Sequence, residues 1–155
     1  MENISIFKIK NNAELKKAFD VRIKVFVDEQ GCPISEERDK WDNWDTINKE
    51  SFHFNIYYKD VCAGTARVII EDNSNSNFSA KIQRVCILDK FRNIHLGKYL
   101  MTELHQFIIK SGFKYSELSA QISAIGFYSK LGYKEEGNIY MDAGIEHKKM
   151  TKKLV

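Results

Sequence analysis

Gln83-Arg84-Val85-Cys86-Ile87-Leu88 runs without interruption into Asp89-Lys90-Phe91-Arg92-Asn93-Ile94-His95-Leu96-Gly97-Lys98. The apolar residues of Lys81 to Leu88 read as a strand. Leu96, Leu100, Leu104, Phe107 and Ile108 then recur at steps of four and three, which predicts an amphipathic helix over Leu96 to Lys110. A basic turn thus opens directly onto a helix whose first N–H groups have no intrahelical partner and carry the positive end of the dipole. A phosphate at that point would meet backbone donors, the charges of Lys90, Arg92 and Lys98, and at Gly97 a backbone with no Cβ in the way. On this segment alone, the basic residues are read equally well as solvated side chains flanking an ordinary helix start. Two phosphate motifs fail. Tyr99 follows Gly97-Lys98, so the P-loop Ser/Thr is missing, and no GxGxxG occurs.

Working outward, Ile4 to Ile9 alternates as a strand. Asn11-Asn12 can cap a helix carrying Leu15, Phe19, Ile23, Phe26 and Val27, which ends near Gly31-Cys32-Pro33. Ser35 to Lys49, acidic and containing Trp41 and Trp44, is expected to be a loop or short helix over the surface. Phe52 to Tyr58 and Val61 to Ile70 read as strands across Lys59-Asp60, and Asp72 to Asn77 as a polar loop. With Lys81 to Leu88 they form an antiparallel meander. Beyond the long helix come a strand at Tyr115 to Gln121, a short helix at Ala124 to Leu131 capped by Gly132, and strands near Tyr133 to Tyr140 and His147 to Leu154. The fold class is therefore α/β, a mixed, mostly antiparallel sheet flanked by helices.

The 155 residues fit one domain spanning 1–155. A hydrophobic share of 43% with 29% charged residues is the balance of a globular chain, and no apolar run reaches the ~18 residues of a membrane span. A formal charge of +3 is too weak to indicate nucleic-acid binding, and Lys148 to Lys153 is read as protection of an edge strand. Cys32, Cys62 and Cys86 form no metal-spaced cluster, so a metal site is not expected, and reduced structural cysteines suit a cytoplasmic location. The start at Met1-Glu2-Asn3 shows no export signal.

A second unit, Gln121-Ile122-Ser123-Ala124-Ile125-Gly126-Phe127-Tyr128-Ser129-Lys130-Leu131-Gly132-Tyr133, decides between the two readings. Together with Arg92-Asn93-Ile94-His95-Leu96-Gly97 it resembles the GNAT superfamily of acyl-CoA-dependent N-acetyltransferases, which carries a Q/R-x-x-G-x-G/A turn and, further on, an Asn-x-x-Ala…Phe-Tyr-x-Lys-x-Gly-Phe/Tyr helix. Val21 to Gly31, Gly64-Thr65-Ala66-Arg67 and Ala143-Gly144-Ile145-Glu146-His147 are similar to one bacterial subgroup. His95 stands where the family's first loop glycine is usual, and Gln121 where asparagine is frequent.

The resemblance implies acetyl-CoA as cosubstrate, with no metal. Its pantetheine arm would lie beside Val85, Cys86 and Ile87, its pyrophosphate within the turn formed by Arg92, Asn93, Ile94, His95, Leu96, Gly97 and Lys98, and Gln121 would reach the arm from the other side. It implies direct attack by a primary amine of a small molecule or peptide, with Tyr128 as proton donor to the leaving sulfur and strand N–H groups meeting the oxyanion. Tyr128 is otherwise a core aromatic. Glu29, Asp42 and His53 are the candidates on the acceptor side, each also readable as a loop charge or packed strand histidine. Two rival readings stand: an acyl-homoserine-lactone-synthase-like acyltransferase, and a non-catalytic acyl-CoA-binding module. A homodimer is possible, but no interface pattern marks one.

Overall fold

The third strand sets the layering, because Ala63 through Ile69 are buried without a break, as happens only when both faces of a sheet are covered. The structure is a computed structural model in which residues 3–71 and 79–155 are described; the expected polar loop at Asp72–Asn77 lies outside them. The chain runs β1 (Ile4–Lys8), α1 (Asn12–Arg22), a π-helical continuation (Ile23–Glu29), α2 (Ile34–Glu37), a 3₁₀ turn (Lys40–Asp42), β2 (Ser51–Tyr58), β3 (Val61–Ile69) and β4 (Ser79–Ile87). It continues through a 3₁₀ turn (Asp89–Phe91), α3 (Leu96–Lys110), β5 (Tyr115–Gln121), α4 (Ile125–Lys130), β6 (Lys134–Asp142) and β7 (Ile145–Lys153).

The strands form one sheet in the order β1-β2-β3-β4-β5-β7-β6. All neighbours are antiparallel except β4 and β5, which run parallel across the α3 crossover. The expected meander and mixed α/β architecture are present. Asn11 caps α1 by accepting from the Glu14 N–H at 2.9 Å. Alternation along β2 then distributes the two faces. Phe52 and Phe54 meet Phe107 of α3 on one face, whereas Asn55 donates to the Glu14 carbonyl of α1 on the other.

On the α3 face Leu96, Leu100, Met101, Leu104 and Ile108 pack over Val68, Ile82, Leu118 and Met150, all buried. Burying one such leucine contributes ~2 kcal/mol. Tyr133, Ser116 and His105 add a buried polar group there: the Tyr133 hydroxyl lies 2.7 Å from both His105 Nε2 and Ser116 Oγ. On the α1 face the 34–49 segment departs from the expected surface loop. Glu37, Trp41 and Ile47 are buried, and the Asp42 side chain is 4% exposed, because arginines on α1, β3 and β4 draw these carboxylates in.

Candidate active site

β4 and β5 pair only from Ser79↔Tyr115 to Ile82↔Leu118. Beyond that point β4 continues to Ile87 against β3 alone, and β5 continues to Gln121 against β7 alone. The separation coincides with Arg84, whose backbone takes φ 57°, and with an irregularity in the β3–β4 register between Thr65 and Arg67. A non-glycine residue with positive φ persists only where its surroundings hold it. Here Glu37 is the clasp: its Oε2 accepts from Arg84 Nε at 3.0 Å, and its carbonyl oxygen accepts from the Arg84 guanidinium at 2.9 Å. The same carboxylate oxygen accepts from Arg22 Nε at 3.0 Å.

Arg22 and Arg67 complete a buried ion network. Arg22 forms a two-pronged pair with Asp42 at 2.6 and 2.9 Å, and Arg67 bonds Asp39 at 2.8 and 2.7 Å and Asp42 at 2.9 Å. Gln83 Oε1 accepts from Arg67 Nε at 3.0 Å, so the network reaches the residue before the bulge. Burial alone would raise the Asp42 carboxyl, but the hydrogen bonds and charge of Arg22, with the charge of Arg67, hold it well below the usual carboxylate range. His53 donates from Nε2 to the Trp41 carbonyl at 2.8 Å, 3.9 Å from Asp42. Burial pulls its pKa down to about 4, against the pull of Trp41 and Asp42. The structure places Asp42, expected at the acceptor side, inside this network, and His53, expected there too, beside it. With side chains 4% and 1% exposed, neither is open to a substrate.

The wedge between the strands opens toward α3. His95 precedes the helix with φ 67°, and Asn93 has φ 68°. The position where the related motif usually has glycine therefore takes the left-handed conformation that glycine adopts most readily, and does so with a Cβ present. Among the described residues no side chain caps α3, so the N–H groups of Leu96, Gly97 and Lys98 keep their donors free. Gly97 faces Phe127: a Cβ there would lie 3.1 Å from Phe127 Cζ. The two sequence motifs thus touch at a glycine and a ring.

The tail of the first helix straddles the mouth of the wedge. Glu29 pairs with Arg92 at 3.0 Å, and Gln30 Oε1 accepts from Gln121 Nε2 at 2.7 Å. Arg92 also donates from Nε to the Ile87 carbonyl at 2.9 Å, fastening the end of β4. Burial, then Glu36, push the Cys32 thiol up, against the charge of Arg84.

Tyr128 is buried on α4, its ring edge-on to Tyr133 at 5.8 Å. Burial, then Tyr133 and Cys86, push its phenol pKa up, so it is a protonated donor at neutral pH. Unlike Tyr133, its hydroxyl has no hydrogen-bond partner among the described residues. Val85 and Ile87 are half-buried on the unpaired part of β4, and Cys86 is buried with burial pushing its thiol up to about 12. Val85, Ile87 and Tyr128 thus share one apolar cluster, Arg92 ties the end of β4 to Glu29, Gln121 is bonded to Gln30, and Gly97 faces the ring next to Tyr128. Sequence reasoning quoted Arg22, Arg67, Arg84 and His147 only within motifs and Glu37 only within the acidic segment, and gave none of them a role. The signal for the network was the coincidence of an acidic segment with arginines inside apolar elements.

Residues 33–154 match the family model described as an acetyltransferase (GNAT) domain. A Bacillus subtilis (strain 168) protein that carries a provisional acetyltransferase name is 38% identical over 149 residues, 96% of each chain. A Lactobacillus plantarum structure, provisionally described as an N-acetyltransferase, superimposes with a TM-score of 0.84 at 23% identity, covering 99% of this chain and 100% of that one. An acyl-CoA N-acyltransferase from Pseudomonas aeruginosa gives a TM-score of 0.80 at 23% identity, covering 96% and 99%. At these identities the two structures bear on the fold alone.

Proposed function

Because the chain belongs to the GNAT acetyltransferase family, we propose that it moves an acetyl group from acetyl-CoA to a primary amine of a small molecule or peptide, by direct attack in a ternary complex. The observation that carries this reading is the wedge: β4 leaves β5 at Ile82, immediately before the Arg84 bulge, and so keeps an unpaired edge beside free helix-end amides.

An extended pantetheine arm satisfies such an edge as an added strand would, along Val85, Cys86 and Ile87, with Gln121 opposite. The N–H groups of Leu96, Gly97 and Lys98 suit the diphosphate, and Arg92 borders it while holding Glu29. The thioester brings an activated acyl carbon. The chain supplies an oxyanion donor from the β4 backbone and a phenol proton from Tyr128 for the departing sulfur. Glu29, half exposed beside Arg92, is a negative charge at the rim on which a cationic amine can align. Among the described residues no helix is long and apolar enough to cross a membrane. We place the enzyme in the cytoplasm, where its cysteines stay reduced.

Free-thiol release from acetyl-CoA across a panel of primary amines tests the reading. Amine-dependent release of CoA is the expected result. No release with acetyl-CoA, but turnover with acyl-carrier-protein thioesters and S-adenosylmethionine, would move the chain to the lactone-synthase chemistry. Tight CoA binding without turnover of any acyl donor would leave a binding module.

A further inference from the structure

We propose that His147 is the general base that takes the proton from the acceptor amine, an assignment that rests on the acyl-transfer reading above. His147, the third residue of β7, is in register with Gln121 of β5 on one side and Tyr140 of β6 on the other. Register partners present their side chains to the same face, so the three form a row across the sheet. Gln30 reaches that row through Gln121, which puts it at the wedge mouth, under the tail of the first helix.

The ring is held in one orientation and one tautomer. Nδ1–H donates to the Ile145 carbonyl at 2.7 Å, which leaves the lone pair on Nε2. Among the described residues Nε2 has no hydrogen-bond partner, and the residue is 9% exposed, so the imidazole body is buried. Tyr140 stacks on it with ring centroids 6.1 Å apart and planes at 24°, and the Tyr140 hydroxyl is itself tied to Ser119 Oγ. Fixing the tautomer through Nδ1 and leaving Nε2 uncommitted is what a proton acceptor needs.

The other candidate acceptors are engaged. Asp42 is gripped by two arginines, His53 donates to Trp41, Glu37 holds Arg22 and Arg84, and Glu29 pairs with Arg92. The titratable groups facing His147 are the Tyr140 phenol across β6, with Glu146 and Lys148 beside it in the chain and Asp142 at the end of β6.

The step balances. The amine nitrogen gives its lone pair to the thioester carbonyl carbon and its proton to Nε2. The C–N bond forms, the C–S bond breaks with its electron pair on sulfur, and sulfur takes the Tyr128 phenol proton. Solvent then removes the proton from Nε2 and returns one to Tyr128.

Two measurements test the assignment. In the amine panel, His147→Gln is expected to lower kcat by about a hundredfold, the scale of a lost general base, with acetyl-CoA affinity by calorimetry within twofold and partial rescue by added imidazole. Long-range ¹⁵N NMR of the wild-type protein without substrate should show His147 as the Nδ1–H tautomer. A wild type that turns over while His147→Gln matches it would overturn the assignment and leave the acyl-transfer reading intact. A wild type that turns over no amine would overturn both. An Nε2–H tautomer would overturn the base whatever the variant's activity or folding.

Discussion

The two faces of the sheet bury polar groups in opposite ways. Beneath α1, charges meet charges: Arg22 and Arg67, both fully buried, share Asp42 and extend through Glu37 to the Arg84 bulge. Beneath α3, Tyr133 joins neutral His105 and Ser116 through two 2.7 Å bonds. A neutral group satisfies three polar side chains and reaches no further. The ionic network connects α1, the 34–42 segment, β3 and β4, and so transmits packing to the place where β4 departs from β5. Charge is expensive to bury, and it is found on the face that shapes the wedge.

The contrast breaks most visibly at Asp42. Asp42→Ala leaves two buried arginines short of a countercharge and is expected to cost about 3–5 kcal/mol, read as a lower urea midpoint. A loss comparable to a surface pair would show the network to be weakly coupled. Two neighbouring tyrosines sharpen the comparison. Tyr128→Phe removes a hydroxyl without a partner among the described residues and is expected to lower kcat by about a hundredfold, or ~2.7 kcal/mol of barrier, with CoA binding and melting unchanged. Tyr133→Phe strips a partner from two buried groups and should cost ~1–3 kcal/mol of stability with kcat within a few-fold. Equal behaviour of the two would erase the division between a reactive and a packing phenol.

Acid tests both faces together. Burial, joined at His105 by the Lys152 charge, pulls His53 and His105 each down to about 4, below the ~6.5 of an unfolded histidine. Above pH 6.5 neither form takes up a proton. Between 6.5 and 4 the unfolded chain binds up to two more than the folded one, so stability falls as pH drops through that window. Chemical denaturation at pH 7 and pH 5 checks this, and equal midpoints would refute it. The smallest effect is expected at His95. His95→Gly relieves a left-handed residue and should stabilise by about 1 kcal/mol, raising Tm by a few degrees.

Local pattern made much of the fold legible. Leu96–Lys110 and Tyr115–Gln121 have the bounds read from the sequence, because periodicity and a terminating glycine mark their ends within a few residues. The π-helical stretch Ile23–Glu29 was not legible, since its apolar spacing passes for α-helix. Nor was the bulge, since nothing in Gln83-Arg84-Val85 announces a positive φ; Glu37, 47 residues earlier, imposes it. Asp42 looked like a solvated charge because its partners, Arg22 and Arg67, lie 20 and 25 residues away. The basic turn before α3 and the short helix carrying Tyr128 were readable as elements because each motif is contiguous. The alignment of His147 with Gln121 and Tyr140 was not, since strand register carries no local mark.

Cys86 lies in the strand that, in the proposed reading, would flank the pantetheine, next to where a free thiol would be released at each turnover. With burial pushing its own thiol up to about 12, it stays protonated at neutral pH. Disulfide exchange starts from thiolate, so this sulfur is a poor attacker on oxidised coenzyme and a poor target for alkylating agents. The protein can keep a cysteine in that strand without becoming trapped as a mixed disulfide.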